Sequence, residues 1–324
     1  MLQLSIVIVN YRGWNSLAKC LASIQVLDKL NVSFETIVID NCSDDGVLPE
    51  FVNRFPSVRF ESNTGNHGFA HGCNAGATLA SGKFLLFLNP DTVVNADALQ
   101  ELLACAMEPD EKVIWSCSQY GLNGKDMRPF GEFLSPVTMF GLPRAIYRKL
   151  RGGWPVAVSS GRRVMLPDWV SGSVVLISRS FFQALGGWEE SFWMYYEDMD
   201  LCRRAWSAGG EVRFLPEVRL LHEHGGSSRI NPVVRALTKS EVITSRHVYI
   251  SRHFVGSSGN LMHAILLGSN LLTGPLLSAM AGMLLFFNPA MRMRSVLYGH
   301  LVRYYLGVLK RRTWISHRSV LCRR

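Results

Sequence analysis

The strongest constraint on the fold is an alternation in the first third of the chain. Short strand-like runs at Leu4–Val9, Glu35–Asp40, Val58–Glu61 and Phe84–Leu88 alternate with segments of helical spacing at Trp14–Gln25, Val47–Phe55, Gly68–Ala80 and Ala96–Met107. Such alternation predicts βαβ units and an α/β fold with a mostly parallel central sheet. Ligands of such sheets bind in the crevice outside the carboxyl ends of the strands. Polar clusters follow the strands directly: Asn10, Asp40 to Asp45, Asn63 to Asn66, and Asn89 to Thr92. The first apolar run is too short for a signal peptide and lacks a basic leader, so it reads as a buried strand.

Beyond this region, residues 118–165 are rich in Gly, Pro and Arg without clear periodicity and read as a variable loop or lid. Order resumes with a strand at Asp168–Ser178 and a helix to about Leu185, broken by Gly186-Gly187. A helix at Asp198–Ala208, a strand at Glu211–Leu215 and a helix from Val233 to about Phe254 follow. The expected division is a catalytic domain at 1–232 and a helical region at 233–324. The seven cysteines are scattered, with no zinc or redox spacing, which fits reduced thiols in a cytosolic setting.

Five clusters carry chemistry. In Asn89-Pro90-Asp91, a carboxylate at the end of a buried strand offers oxygen ligation suited to Mg²⁺ or Mn²⁺ bridging to phosphates. The plainer reading is a turn with Asp91 capping the next helix. Glu197, Asp198 and Asp200 crowd the start of a helix. Asp198 is the candidate general base and Glu197 its companion, whereas Asp200 can pair with Arg203 or Arg204 one turn on. In His222-Glu223-His224, both rings project to one side of an extended segment and are candidate metal or diphosphate contacts. A carboxylate at Asp40 can accept the N3–H of uracil or thymine. Residues 63–76 carry glycines at 65, 68, 72 and 76, without dinucleotide or P-loop spacing. The later glycines allow a helix to approach the sheet or a ligand closely.

The order of these pieces resembles glycosyltransferase family 2, with its GT-A fold, and within it the bacterial rhamnosyltransferase-like branch. The matching stretches are Ser5 to Tyr11, Val38 to Asn41, Asn63 to Gly76, Phe87 to Thr92, Asp168 to Gly172, Gly186 to Glu190, Tyr196 to Leu201 and His222 to Ser227. The resemblance implies that Asn10 and Tyr11 line a nucleotide pocket and that Asp40 holds the pyrimidine. It puts Asn63, Gly68 and Asn74 on the nucleotide-sugar side and has Trp169 and Gly172 shape the sugar or acceptor side. Asn89 stands where many relatives have the first carboxylate of Asp-x-Asp, so Asp91 is the implied metal ligand, with His222 and then His224 as further contacts. The implied chemistry is direct displacement with inversion, Asp198 acting as base. The branch further implies a dTDP-rhamnose donor, with a UDP-sugar as the alternative.

The C-terminal quarter differs in charge. Residues 242–324 hold 11 Lys plus Arg and no acidic residue, whereas residues 1–241 carry 23 basic against 25 acidic residues. The stretch Leu261–Phe287 has no charged residue, but Gly274-Pro275 lies at its middle and basic residues flank both ends. A helical hairpin dipping into one leaflet, or two in-plane helices, suits this pattern better than a single crossing. The basic tail then contacts anionic lipid on the cytoplasmic face of the bacterial plasma membrane, near a polyprenyl-diphosphate-linked or oligosaccharide acceptor. Packing under the domain is the alternative. Nucleic acid is not expected as partner, because the basic residues do not alternate with stacking aromatics. Two rival functions stand beside the transferase: a nucleotidyltransferase of similar fold, and an inactive membrane-bound binding module.

Overall fold

The fold is built outward from β1 (Leu4–Asn10), whose seven residues are all buried. A strand so enclosed needs neighbours on both edges, and β1 has parallel partners on each: β2 (Phe34–Asp40) and β4 (Phe84–Leu88). The computed structural model describes residues 2–25, 32–107, 112–159, 161–223, 232–284 and 289–322. The expected metal contact His224 and the loop to Ser227 lie outside these residues.

The chain forms two compact units, Met1–Glu189 with Glu197–His224, and Glu190–Tyr196 with Gly225–Arg324. In the first, α1 (Trp14–Gln25) buries Trp14, Leu17, Cys20, Leu21 and Ile24, the one-sided stripe expected of a helix covering a sheet. Next come α2 (Leu48–Arg54), β3 (Val58–Ser62) and α3 (Phe69–Leu79). Helix α3 lies so close to β1 that a methyl group at Gly72 would stand 2.7 Å from Val9, and one at Gly76 would collide with Val7. These glycines serve helix–sheet packing. After β4 come β5 (Thr92–Val93) and α4 (Ala96–Ala106), which is capped by Asn95 through a 2.7 Å bond from the Ala98 amide. Asp91 is therefore not the helix cap.

The segment expected as an irregular lid is largely ordered. It holds the last three residues of β6 (Val113–Tyr120), then β7 (Phe130–Gly131), α5 (Gly141–Arg151), β8 (Val156–Ser159) and β9 (Arg162–Met165). The single strand expected at 168–178 is two: β10 (Trp169–Val170) pairs with β7 in a small sheet, and β11 (Val174–Ser178) enters the main sheet. Helices α6 (Arg179–Ala184) and α7 (Glu197–Ser207) precede β12 (Glu211–His222), which runs well past the expected end at Leu215. A register shift between Leu215 and Arg219 lets β12 pass Pro216 and still pair with β6.

The main sheet has the order β3-β2-β1-β4-β11-β6-β12-β9-β8, with β5 on β12. It is mixed, not mostly parallel. Strand β11 runs antiparallel to both β4 and β6, and β12 is antiparallel to β5 and β9. The parallel expectation came from the first four strands, where the βαβ pattern holds. Apolar clusters cover both faces.

The second unit contains α8 (Pro232–His253), α9 (Ser257–Leu284), α10 (Pro289–Arg311) and a 3-10 turn at Val320–Cys322. The expected break at Gly274-Pro275 is absent; α9 runs through it. Among the described residues, no helix is long and apolar enough to cross a membrane. Leu301, Tyr304 and Tyr305 form a buried cluster with Ile243, Leu267 and Trp314 packed against it.

Candidate active site

The ends of β4 and β12 meet in one part of the candidate site, and a turn links them to the start of α7. The loop leaving β4 carries Asp91, and β12 ends in His222. The two meet across 131 residues of sequence, His222 Nε2 lying 3.0 Å from Asp91 Oδ1. The antiparallel pairing of His222 with Thr92 sets this contact, and the Glu223 amide donates to the Asp91 carbonyl at 2.9 Å. Lys19 on α1 pairs with Glu223 at 2.7 Å.

The other ring nitrogen, His222 Nδ1, lies 2.8 Å from Gln119 Oε1 on β6. The Ser173 hydroxyl donates to the same oxygen at 2.9 Å. The ring is thus held between the Gln119 carboxamide and the Asp91 carboxylate. An imidazole nitrogen and a carboxylate oxygen 3.0 Å apart can share a proton, and both are ligand types for a divalent cation. Neighbouring ligands of an octahedral Mg²⁺ at ~2.1 Å stand about 3 Å apart, so the donor pair fits a divalent ion. Were His222 to ligate an ion, the Gln119 contact would be the outer-shell hydrogen bond that orients its ring. Among the described residues no group of three His, Cys, Asp or Glu side chains is placed to enclose an ion. A divalent ion held by these two donors would take its remaining ligands from substrate oxygens and water.

Asp198 reaches this cluster through the turn between β10 and β11. Its carboxylate accepts from the Gly172 amide at 3.2 Å and the Met199 amide at 2.8 Å. Gly172 adjoins Ser173, whose hydroxyl bonds Gln119 and whose carbonyl accepts from the Asn89 amide at 3.0 Å. One turn thus connects the loop of Asp91, the ring of His222 and the start of α7. The chain enters α7 through Tyr195 and Tyr196, both left-handed at φ 69° and 70°, a costly conformation for non-glycine residues.

The two leading carboxylates of α7 differ. Glu197 is buried, and its Oε2 has no hydrogen-bond partner. Burial, then the neighbouring Asp198 charge, push its pKa well above the usual carboxylate value. Burial also raises Asp198, against the pull of the Met199 and Gly172 amides. The arrangement favours a neutral Glu197 beside an ionised Asp198. Asp200 is structural: its carboxylate binds Arg204 at 2.7 Å, and Arg204 ties down the Leu185 and Gly187 carbonyls.

The residues expected to line the nucleotide pocket form a second cluster at the ends of β1 and β2. Asn10 Nδ2 donates to Asp40 Oδ1 at 3.3 Å, and the Ser43 amide and hydroxyl donate to the same carboxylate. Asp40 is buried, and its carboxylate organises its own loop. Asn63 donates to Asn41 at 2.7 Å, and Asn41 donates to the Gly68 carbonyl at 2.9 Å. Gly68 holds φ 99° at the entry to α3, which explains the glycine there. Tyr11 remains exposed, with Arg12 over its ring. Asn74 is not part of this cluster. Its amide clamps both the N–H and the carbonyl of Trp188. Trp169 donates to the Glu132 carbonyl at 2.9 Å and sits on the small sheet, near Gly131.

Sequence reasoning passed over Gln119 and Ser173. The available signal was a run of polar side chains, Ser116, Ser118 and Gln119, inside a segment flanked by Val113, Ile114 and Trp115. Buried polar residues are informative because they need partners.

Comparisons with known proteins now bear on this geometry. Residues 5–164 match the family described as glycosyl transferase family 2, and residues 161–224 match the N-terminal domain of galactosyltransferase. Together the two matches take in Asn10, Asp40, Asp91, Asp198 and His222. The chain belongs to glycosyl transferase family 2. Within the family, the chain is 29% identical over 206 residues to the low-salt glycan biosynthesis hexosyltransferase Agl10 of Haloferax volcanii. That match covers 62% of this chain and 61% of the relative's length. An N-acetylglucosaminyl-diphospho-decaprenol L-rhamnosyltransferase of Mycobacterium tuberculosis is 28% identical over 71% of this chain and 78% of its own. Rhamnosyltransferase WbbL of Escherichia coli is 24% identical over 71% and 90%. These relatives support the rhamnosyltransferase-like branch of family 2. Among solved structures, the mannosyltransferase PcManGT from Pyrobaculum calidifontis, in complex with GDP-Man and Mn²⁺, aligns with a TM-score of 0.52 at 17% identity, over 93% of this chain and 86% of its own. GalNAc-T7 with UDP, GalNAc and Mn²⁺ aligns with a TM-score of 0.52 at 19% identity, over 75% and 47%. These likenesses establish a GT-A-like α/β fold for this family 2 glycosyltransferase.

Proposed function

We propose that this family 2 glycosyltransferase moves a hexose, L-rhamnose from dTDP-rhamnose, onto a polyprenyl-diphosphate-linked or oligosaccharide acceptor with inversion at the anomeric carbon. The relatives named as rhamnosyltransferases, one acting on a decaprenyl diphosphate, support the donor and acceptor class. The observation that carries the reading is the contact of Asp91 with His222, joined through Gln119 and Ser173 to the turn that holds Asp198.

Asp91 and His222 would hold a divalent ion, Mg²⁺ or Mn²⁺, as two adjacent ligands. Bound there, the ion neutralises charge developing on the departing nucleoside diphosphate. Gln119 fixes the His222 ring so that Nε2 faces that position. Asp198 accepts the proton of the acceptor hydroxyl as the hydroxyl oxygen attacks the anomeric carbon from the face opposite the leaving group. The Gly172 and Met199 amides hold the Asp198 carboxylate ionised and aimed, while burial raises its proton affinity toward that of a useful base. A single base and no enzyme nucleophile are consistent with one displacement and hence inversion. Asn10, Tyr11 and the loop of Asp40 serve the nucleotide. We place the protein at the cytoplasmic face of a bacterial plasma membrane, with the basic C-terminal unit near anionic lipid.

A nucleotidyltransferase would use Arg12 to grip a triphosphate. Here the Arg12 amide and guanidinium both donate to Ser43, which turns the residue to the β2 loop. The test is a donor-hydrolysis and transfer screen across sugar nucleotides with Mg²⁺ or Mn²⁺, comparing wild type with Asp91→Ala. The expected result is turnover of dTDP-rhamnose that is lost in the variant. Turnover of no donor, or turnover indifferent to the substitution, would overturn the reading.

A further inference from the structure

Helix α5 is turned inside out. Its eleven residues include none that is buried. At helical spacing, Leu142, Ile146 and Leu150 lie on one face and Arg144, Arg148 and Arg151 on the opposite one. In a surface helix of a water-soluble domain the apolar face packs inward. Here the arginine face does. Arg148 binds Glu132 at 2.7 Å, with Arg144 at 3.9 Å from the same carboxylate, which is 4% exposed. Arg151 makes a two-pronged contact with Asp168 at 3.0 and 3.3 Å and lies 3.9 Å from the centre of the Trp154 ring. The apolar side chains are left in solvent, Leu142 75% exposed, Ile146 52% and Leu150 81%. An isolated helix of this length is marginal in water, so its ordinary source of stability, burial of an apolar face, is missing.

The surroundings state what kind of surface would cover it. Residues 141–165 hold six basic residues and no acidic one. Val156 and Val158 on β8 are also exposed. Behind the helix lies a cavity of about 370 Å³ lined by Arg128, Arg148, Arg151, Glu132, Tyr147 and Trp154, among others, three arginines to one carboxylate. Burial, then the charge of Arg148, lower the pKa of Arg128 against the opposing pull of Glu132. An exposed apolar ridge flanked by Lys149, beside an arginine-lined cavity, matches the layering of an anionic bilayer surface: acyl boundary against the ridge, head-group phosphate against the arginines.

The structure assigns to α5 the role of an interfacial helix that seats the first unit on an anionic phospholipid surface through Leu142, Ile146 and Leu150. This contact is separate from the basic C-terminal unit. Its test uses neither donor nor acceptor, so its failure leaves the transfer reaction untouched, and the reverse also holds.

The test uses the full chain with vesicles of phosphatidylcholine alone or with about a third phosphatidylglycerol. Amide hydrogen exchange in 141–151 should slow on adding the anionic vesicles and not the neutral ones. The combined variant Leu142→Ser, Ile146→Ser, Leu150→Ser removes only exposed side chains. It should keep the wild-type melting temperature and lose vesicle affinity by on the order of tenfold or more. Lys149→Glu should narrow the preference for anionic over neutral vesicles. Unchanged exchange in α5 on bound vesicles, or a triple variant that binds as wild type, overturns the assignment. So does exchange protection that rises with protein concentration in the absence of vesicles, which would make the ridge a contact between two copies.

Discussion

A histidine-centred network stands in each of the two units, and the two differ in where their hydrogen bonds lead. In the second unit His247 Nδ1 lies 2.8 Å from His263 Nδ1, and His247 Nε2 lies 3.1 Å from the Tyr305 hydroxyl. Trp314 stacks on both rings, at 4.4 and 4.2 Å between centres and 6° from parallel. Every proton has a place. Asn270 donates to Tyr305, Tyr305 to His247, His247 to His263, His263 to Ser251, and Ser251 to the His247 carbonyl. Both rings are neutral in this chain, and a further proton would set two N–H groups against each other. In the first unit the same walk starts at Ser173, passes Gln119 and His222, and ends on the Asp91 carboxylate in the loop after β4. A network that returns to its own backbone holds a fold together; one that ends on a carboxylate at a strand end presents a group able to hold a proton or a cation.

The sharpest way to break this comparison is to remove the reacting groups. Asp198→Asn keeps the shape and the capacity to accept from Gly172 but removes the base. Transfer is expected to fall by about 10³ in kcat, with donor affinity retained. Asp91→Ala should cost roughly 10² to 10³ in kcat and raise the Mg²⁺ or Mn²⁺ concentration needed for half-maximal rate. If His247→Phe lowers kcat as much as Asp91→Ala does, in protein that remains folded, the division between the two networks is wrong. Gln119→Leu tests the outer contact. The His222 ring loses its orienting acceptor, and metal affinity should fall 10- to 100-fold by titration, less than on loss of Asp91 itself.

How much of this was legible in sequence follows the same division. Strands β1 and β4 could be read because they are apolar almost throughout, and α1 and α4 because each buries a one-sided stripe. Asp91, Asp198 and His222 could be named because each sits at a strand end or helix start, where the type of residue alone suggests chemistry. Strand β6 was hidden, because its serines are satisfied by distant carbonyls, buried Ser116 by Val174 and half-buried Ser118 by Pro216, which no local pattern encodes. The antiparallel insertion of β11 between β4 and β6 was hidden for a related reason. Register across a sheet is a property of partners, and the partners are far apart in the chain. Gln119 could be found only with both facts in hand. Helix α5 escaped because its stripe is real but inverted, apolar toward solvent.

A smaller effect separates the two carboxylates of α7. As the proposed base Asp198 acts when ionised, and burial raises its pKa, so kcat should fall as pH drops, along an acid limb above the usual carboxylate range. Glu197 is raised further and contributes through stability. A carboxyl group whose pKa is higher folded than unfolded favours the folded state at low pH, and that advantage is lost as pH rises through the folded value. Glu197→Gln should therefore flatten the decline of melting temperature as pH rises above the usual carboxylate range. An unchanged profile would mean that Glu197 ionises freely in the folded protein.

The least effect on activity and the clearest on stability belongs to the closed network. Burial, then the His263 and Arg246 charges, lower His247 to about 3, and burial lowers His263 to about 4. A histidine whose pKa is lower folded than unfolded binds its proton more readily in the unfolded chain. Its contribution is thus intact above the unfolded value near 6.5 and is lost as pH falls toward 3. Melting followed from pH 7 to 4 should show a steady loss of stability that His247→Phe reduces, while rates at pH 7.5 change by less than about threefold. Proton resonance of the two rings supplies the decisive reading. Neither should titrate between pH 5 and 8, whereas a midpoint near 6.5 for either ring would show that the chain from Asn270 to Ser251 is open to water and that the two networks are alike after all.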